Sequence, residues 1–196
     1  GIIPLCGTAK TTTQNWITLE GCKLALQSDA SYNNGDYKSP PKKGLKAFSR
    51  NYTSTLFDKE GYEEGLHLNL FEGFEDTESY LNFMDGFFGN IDANDLLGML
   101  NTWQMGDIGK HEKFNNNTKK ALANIKCPAL VMPSSTDLSF PARNNIPEVK
   151  EMPRAELKVI NTKHGHLAGG MSTTLTSQED VTFIDKSIKE FLKKIS

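Results

Sequence analysis

Apolar residues along this chain of 196 residues follow two kinds of spacing, and each kind predicts a different element. Three short apolar runs are bounded by Gly, Pro, Ser or Thr and have the length of buried strands. These runs cover residues 1–6, 129–133 and 156–161. Between the first two runs, apolar residues recur at helical spacing over residues 15–28, 43–56, 75–88 and 93–103.

The pattern closes with a predicted amphipathic helix over residues 177–195. Acidic side chains at its start and lysines near its end suit the helix dipole. Strands separated by helical crossovers form parallel sheets, so the order of elements predicts an α/β fold. We expect a core strand and turn over residues 1–12, a large helical cap insertion over 13–126, and core strands with a final helix over 127–196.

Charge and cysteine content narrow the classes of function. Lys and Arg number 22 against 24 Asp and Glu, which gives a net charge of −2 and no basic cluster for nucleic acid. No apolar run approaches the ~20 residues of a spanning helix, so we expect no membrane partner. The three cysteines show neither a CxxC pair nor zinc-type spacing, so we expect a reducing, cytoplasmic location and no zinc site. We also expect no cofactor.

Two residues with catalytic chemistry follow successive predicted strands. Asp137 comes after the second strand and His166 after the third, 29 positions further along the chain. The carboxyl ends of parallel strands meet at the edge where open α/β sheets bind ligands. A carboxylate that holds an imidazole in one tautomer is part of an acid–base relay. We therefore predict that Asp137 and His166 form a catalytic pair.

Simpler interpretations of the same residues stay open. An Asp in a Ser-Ser-Thr-Asp run is a common helix cap, and a His beside glycines is often a plain loop residue. His164 competes as the imidazole, although Gly165 suits a turn that presents His166. His164 and His166 also have the spacing of a metal-binding pair, but no third ligand stands at a readable spacing, so we predict no metal site.

Several blocks of sequence, taken in order, resemble a known family over nearly the whole chain. The blocks are 4–11 with Asn15, Leu19, Glu20 and Gly21, then 44–50, 92–94, 121–125, 133–137 and 165–166. They resemble the homoserine O-acetyltransferase-like branch of the α/β-hydrolase superfamily. The resemblance implies the C-terminal part of that fold, with few parallel strands flanked by helices and a large helical cap insertion.

The resemblance also implies roles for three residues. Asp137 would be the acid and His166 the base of a Ser-Asp-His triad. Arg50 would bind a substrate carboxylate, which a guanidinium does with two parallel hydrogen bonds. A surface position on a cap helix is the alternative for Arg50.

Two departures from the family pattern shape the expected function. No GxSxG elbow occurs in the chain, although the nucleophilic Ser precedes the acid and the base in this fold. By the resemblance the chain begins just past that Ser, so we expect it to be inactive alone and stable only with an N-terminal complement. The family's transferases follow their catalytic His with an Asp that holds the substrate amino group. Leu167 stands at that position and cannot accept a hydrogen bond from an ammonium group.

The expected activity of the complete protein is therefore hydrolysis of a small ester or thioester through a Ser acyl-enzyme, or acyl transfer to an alcohol other than homoserine. One alternative is acetyl transfer from acetyl-CoA, as a substrate, to homoserine or a related hydroxyl. Another is a non-catalytic remnant that serves as a binding or assembly module. A homodimer through the cap insertion is a further expectation.

Overall fold

A computed structural model describes residues 1–196 and shows a helix-rich chain with a small parallel sheet. The α-helices are α1 (Thr13–Gln27), α2 (Lys42–Thr53), α3 (Lys59–Glu63), α4 (Thr77–Gly89), α5 (Ala93–Gln104), α6 (Thr118–Ala123), α7 (Ala142–Glu151) and α8 (Gln178–Ile195). The strands are β1 (Ala129–Val131) and β2 (Ala155–Leu157), and short 3-10 helices lie at Ala30–Gly35, Leu66–Asn69, Glu112–Phe114 and Gly165–Gly170.

The elements gather into two units, which we call the strand unit and the helical unit. The strand unit consists of Gly1–Lys10, Leu56–Gly73 and Asp107–Ser196. The helical unit consists of Thr11–Thr55 and Phe74–Gly106.

All three predicted strand segments lie side by side in the strand unit. β1 pairs in parallel with β2, and Ser134 forms one further parallel bridge with Ile160. The segment 1–6 pairs with the other side of β1, but only through parallel bridges from Ile2 and Leu5. Pro4 has no N–H to donate between these bridges. The predicted α/β class is therefore confirmed, with a first strand that is interrupted.

The sheet is covered by apolar side chains on both faces. Alternate residues of a strand point to opposite faces, so Leu130 and Met132 pack toward Ile184 and Phe191 of α8. On the opposite face Ala129 and Val131 pack with side chains of α6 and α7. Ser177 begins α8 by accepting the N–H of Asp180 on its hydroxyl. No helix of the structure combines the length and apolar content that crossing a bilayer requires.

The helical unit is built from α1, α2, α4 and α5, all four of which were predicted. In α2 the ring of Phe48 stacks on Tyr52 and meets the edge of Phe88 from α4. Gly44 lets α2 approach the end of α1, because a Cβ there would lie 2.3 Å from the carbonyl oxygen of Leu26. These contacts give the unit an apolar interior of its own.

Two segments that the sequence analysis assigns to the cap insertion pack with the strands instead. The segment 56–73 joins the strand unit because Leu56 accepts the N–H of His166 at 3.0 Å. The segment 107–126 joins it through Ile108, which donates to Ala9 at 3.0 Å. These segments contain α3 and α6, two short helices that the apolar spacing did not indicate.

Candidate active site

Asp137 is buried in the loop that follows β1, with 2% of its surface exposed. Its Oδ1 accepts the N–H groups of Ser139 at 2.8 Å and Phe140 at 3.0 Å. These two backbone donors fix the plane of the carboxyl group and leave Oδ2 for another partner. Asp137, the predicted catalytic acid, thus also stabilises its own loop through these two hydrogen bonds.

His166 provides that partner. Its Nδ1 lies 2.8 Å from Oδ2 of Asp137, and its backbone N–H is held by the carbonyl oxygen of Leu56. The Phe140 ring lies beside the imidazole, with centroids 5.4 Å apart. The side chain of His166 remains 31% exposed, and Nε2 has no hydrogen-bond partner within the chain. A buried carboxylate and a half-exposed imidazole therefore meet as the strand-end argument predicts.

Hydrogen bonds tie the two loops to each other as well. The backbone of Thr162 exchanges two 3.1 Å hydrogen bonds with the hydroxyl of Ser135, which accepts its N–H and donates to its carbonyl. The hydroxyl of Thr136 donates to the same carbonyl at 2.9 Å and accepts the N–H of Gly165 at 3.2 Å. From the sequence these Ser and Thr residues were predicted only to bound the strands, and their linking role was missed. Their position after two neighbouring strands was the available signal.

The competing histidine, His164, takes a different acceptor. Its Nδ1 lies 3.4 Å from Asp180 Oδ2 and 3.1 Å from the hydroxyl of Thr162. Burial lowers the pKa of His164 below its ordinary value, so its ring is neutral near pH 7. The two histidines are thus divided between two carboxylates, and no cluster of three His, Cys, Asp or Glu side chains suits a metal ion.

A cavity of about 310 Å³ adjoins His166 within the strand unit. Its other walls are mainly apolar and come from Leu5, Cys6, Leu167, Gly169, Gly170 and Leu175. Gly169 allows a close approach, because a Cβ there would lie 2.9 Å from Cys6 Sγ. An apolar cavity with one imidazole on its wall suits a small uncharged molecule.

The conformation of the His166 loop depends on Gly165, and this gives a prediction for stability. Gly165 has φ +55°, and a Cβ there would lie 2.3 Å from the carbonyl oxygen of Leu56. We expect Gly165→Ala to lower the free energy of unfolding by about 2–4 kcal/mol, measured by urea denaturation. Gly98→Ala in α5, where a Cβ meets open space, is the matched control and raises it by about 0.5–1 kcal/mol. Equal effects of the two changes would contradict this account of the loop.

The cysteines provide a test of burial in each unit, and Cys6 provides it at the cavity beside His166. Burial raises the pKa of Cys6 to about 11, with a smaller contribution from the charge of Asp137, and burial raises the pKa of Cys22 to about 11. Cys127 is exposed. At pH 8 we expect iodoacetamide to alkylate Cys6 and Cys22 roughly 100-fold more slowly than Cys127, because the thiolate is the reactive form. Peptide mass spectrometry over time measures the rates, and rapid modification of Cys6 would show that the site is open.

Arg50 lies in the helical unit, and its guanidinium is bound to acidic side chains of α4. It donates to Asp85 through Nε at 3.1 Å and Nη2 at 3.0 Å, and to Glu78 at 2.7 Å. These contacts give the residue a structural role within the unit, and substrate binding by Arg50 stays a prediction.

The structural role of Arg50 has its own test. We expect Arg50→Gln to lower the midpoint of thermal unfolding, because Glu78 and Asp85 lose the hydrogen bonds that the guanidinium donates. KM for an uncharged ester stays within about 2-fold, since such a substrate offers no carboxylate to a guanidinium. A large rise in KM at unchanged stability would instead place Arg50 at the substrate.

The chain is similar in sequence to proteins named as esterases and acyltransferases. A protein named as a probable esterase from Corynebacterium glutamicum is 32% identical over 193 residues, which are 97% of this chain and 53% of that protein. An ethyl acetate hydrolase from Pseudomonas veronii is 30% identical over 166 residues, 83% of this chain and 46% of the relative. A homoserine O-acetyltransferase from Pelagibacter ubique is 28% identical over 156 residues, 73% of this chain and 41% of the relative. No protein-family model matches the chain.

Solved structures similar to the chain also include an ester hydrolase and an acetyltransferase. An acetylester hydrolase from Corynebacterium glutamicum matches with a TM-score of 0.86 and 31% identity, over 97% of this chain and 53% of that one. A homoserine O-acetyltransferase from Bacillus anthracis matches with a TM-score of 0.70 and 22% identity, over 93% of this chain and 52% of that one, and shows the fold alone. The chain spans about half the length of the curated relatives it matches.

Proposed function

Because the chain belongs to the α/β-hydrolase superfamily, in its homoserine O-acetyltransferase-like branch, we propose that the complete protein hydrolyses small acetate esters through a Ser acyl-enzyme. Asp137 is the acid and His166 the base, and an N-terminal complement supplies the Ser. The observation that carries the proposal is the 2.8 Å contact between His166 Nδ1 and a buried Asp137.

The proposed mechanism gives each proton a defined position. Nδ1–H of His166 donates to Oδ2 of Asp137, so the lone pair lies on Nε2. Nε2 takes the proton of the Ser hydroxyl as its oxygen attacks the ester carbonyl, and Asp137 stabilises the imidazolium that forms. The imidazolium then protonates the departing alkoxide. In the second half, Nε2 takes a proton from the water that attacks the acyl-enzyme and returns it to Ser, which releases the carboxylic acid.

Two observations favour water over an amino-acid hydroxyl as the acceptor. Leu167 lies on the cavity wall next to His166, where an apolar side chain offers no acceptor to an ammonium group. The probable esterase from Corynebacterium glutamicum and the ethyl acetate hydrolase from Pseudomonas veronii are also more similar to the chain, at 32% and 30% identity, than the homoserine O-acetyltransferase from Pelagibacter ubique, at 28%. Acetyl transfer from acetyl-CoA to homoserine is the second candidate, because relatives named for that reaction also match the chain.

The experiment compares two reactions of the complete protein. One assay follows p-nitrophenol release from p-nitrophenyl acetate, and the other follows free CoA from acetyl-CoA with and without homoserine. We expect saturable ester hydrolysis and no homoserine-dependent CoA release. Homoserine-dependent CoA release without ester hydrolysis would establish the transferase, and inactivity in both assays would overturn the proposal in favour of a binding or assembly module.

A further inference from the structure

A second buried carboxylate lies next to the loop that carries His166. Asp180, in the first turn of α8, is 5% exposed. Its Oδ2 accepts the hydroxyls of Thr162 at 2.6 Å and Thr176 at 2.5 Å, and His164 Nδ1 lies 3.4 Å away. A buried carboxylate needs such donors, because a charge removed from water without partners is costly.

The hydroxyl of Thr162 can satisfy all of its contacts at once. It donates its single proton to Asp180 at 2.6 Å. Its two lone pairs then accept the backbone N–H of His164 at 3.1 Å and the ring Nδ1–H of His164 at 3.1 Å. Because His164 is partly buried and its ring is neutral, the Nδ1–H tautomer serves this arrangement without a charge.

Thr162 also connects the two proposed catalytic loops through its backbone. Its N–H and carbonyl bind the hydroxyl of Ser135, and the carbonyl also accepts the hydroxyl of Thr136. Both of these residues immediately precede Asp137 in the chain. The hydroxyl of Thr136 then accepts the N–H of Gly165, the residue before His166. One threonine thus links the Asp137 loop, the His166 loop and the start of α8.

We propose that Thr162 and Asp180 are positioning residues that hold the imidazole of His166 against Asp137. The assignment rests on the proposed function for its effect on rate, although its geometric part concerns His166 alone. Neither residue lines the cavity beside His166, so they act through the loops and not through contact with substrate. Their removal is expected to alter turnover more than substrate binding.

The test replaces the hydroxyl with a methyl group of similar size, as Thr162→Val in the complete protein. A displaced catalytic group is costly for rate, so we expect kcat for p-nitrophenyl acetate to fall roughly 10- to 100-fold while KM stays within about 2-fold. Thr162→Ser restores the hydroxyl and returns kcat to within about 3-fold of the original. Thr182→Val, on the exposed side of α8, is the matched control and leaves kcat unchanged. Unchanged kcat in a folded Thr162→Val protein would overturn the proposal.

A second measurement tests the position of the His166 ring independently of ester hydrolysis. Nitrogen-15 NMR of the ring of His166, assigned by comparison with His166→Ala, reports which nitrogen carries the proton. We expect one tautomer, protonated on Nδ1, in the original protein and a mixture in Thr162→Val. Asp180→Asn, which replaces the charge but keeps an oxygen acceptor, provides the same measurement where the valine variant fails to fold. An unchanged single tautomer in the folded variants would refute positioning, whether or not the original protein hydrolyses esters.

Discussion

Replacing His166 with alanine is expected to lower kcat/KM of the complete protein for p-nitrophenyl acetate by about 10⁴-fold or more. In the proposed mechanism the imidazole takes the proton of the nucleophile and later delivers it to the leaving alkoxide. Nε2 has no competing partner in the chain, and the ring lines the cavity. We do not expect His164 to replace it, because His164 is partly buried and bound to Asp180 and Thr162.

The His166→Ala experiment needs a control for the loss of any histidine. His111 is exposed in a 3-10 turn, so His111→Ala is expected to keep full activity. Circular dichroism confirms that both variants are folded before kinetic constants are compared. Retention of more than about one hundredth of the original kcat/KM in His166→Ala would contradict a role of His166 as general base, since a general base contributes at least about 10²-fold.

Asp137→Asn is expected to lower kcat by about 10⁴-fold with little change in the fold. The amide oxygen still accepts the N–H groups of Ser139 and Phe140, so the loop keeps its two backbone hydrogen bonds. The amide nitrogen, however, faces His166 as a donor at the position of Oδ2. His166 must then accept on Nδ1 and carry its proton on Nε2, which is the wrong tautomer for a base.

The control for this change is an exposed carboxylate. Asp36 lies on the surface of the helical unit, and Asp36→Asn is expected to leave kcat and KM unchanged. Nitrogen-15 NMR of His166 in Asp137→Asn checks the cause, because the proton should move from Nδ1 to Nε2. Full activity of Asp137→Asn would show that the carboxylate serves only as the cap of its own loop.

Helices whose apolar spacing and capping residue lie within a short stretch of sequence could be predicted. The helix predicted over residues 177–195 forms as Gln178–Ile195, because its apolar face and its Ser177 cap are both encoded within a few residues. The first strand was only partly right. Proline removes a donor at position 4, and Cys6 turns to φ 43°, so the segment pairs at two positions only.

Long-range backbone contacts explain what the sequence could not predict. The carbonyl of Leu56 holds the N–H of His166 across 110 positions, and hydropathy patterns carry no trace of such a bond. For this reason the segment 56–73 was assigned to the insertion. The proximity of Asp137 and His166 could be predicted, because both follow strands of one parallel sheet. The linking role of Thr162 could not, since a loop threonine is unremarkable until its neighbours in space are known.

The most direct measurement is covalent labelling of the complete protein with diisopropyl fluorophosphate, which reacts with an activated Ser. The account predicts one labelled Ser outside residues 1–196, and no label on that Ser in the His166→Ala variant. Peptide mass spectrometry identifies the modified residue in both proteins. A label on a residue within 1–196, or equal labelling with and without His166, would contradict the claim that Asp137 and His166 activate a Ser from the complement.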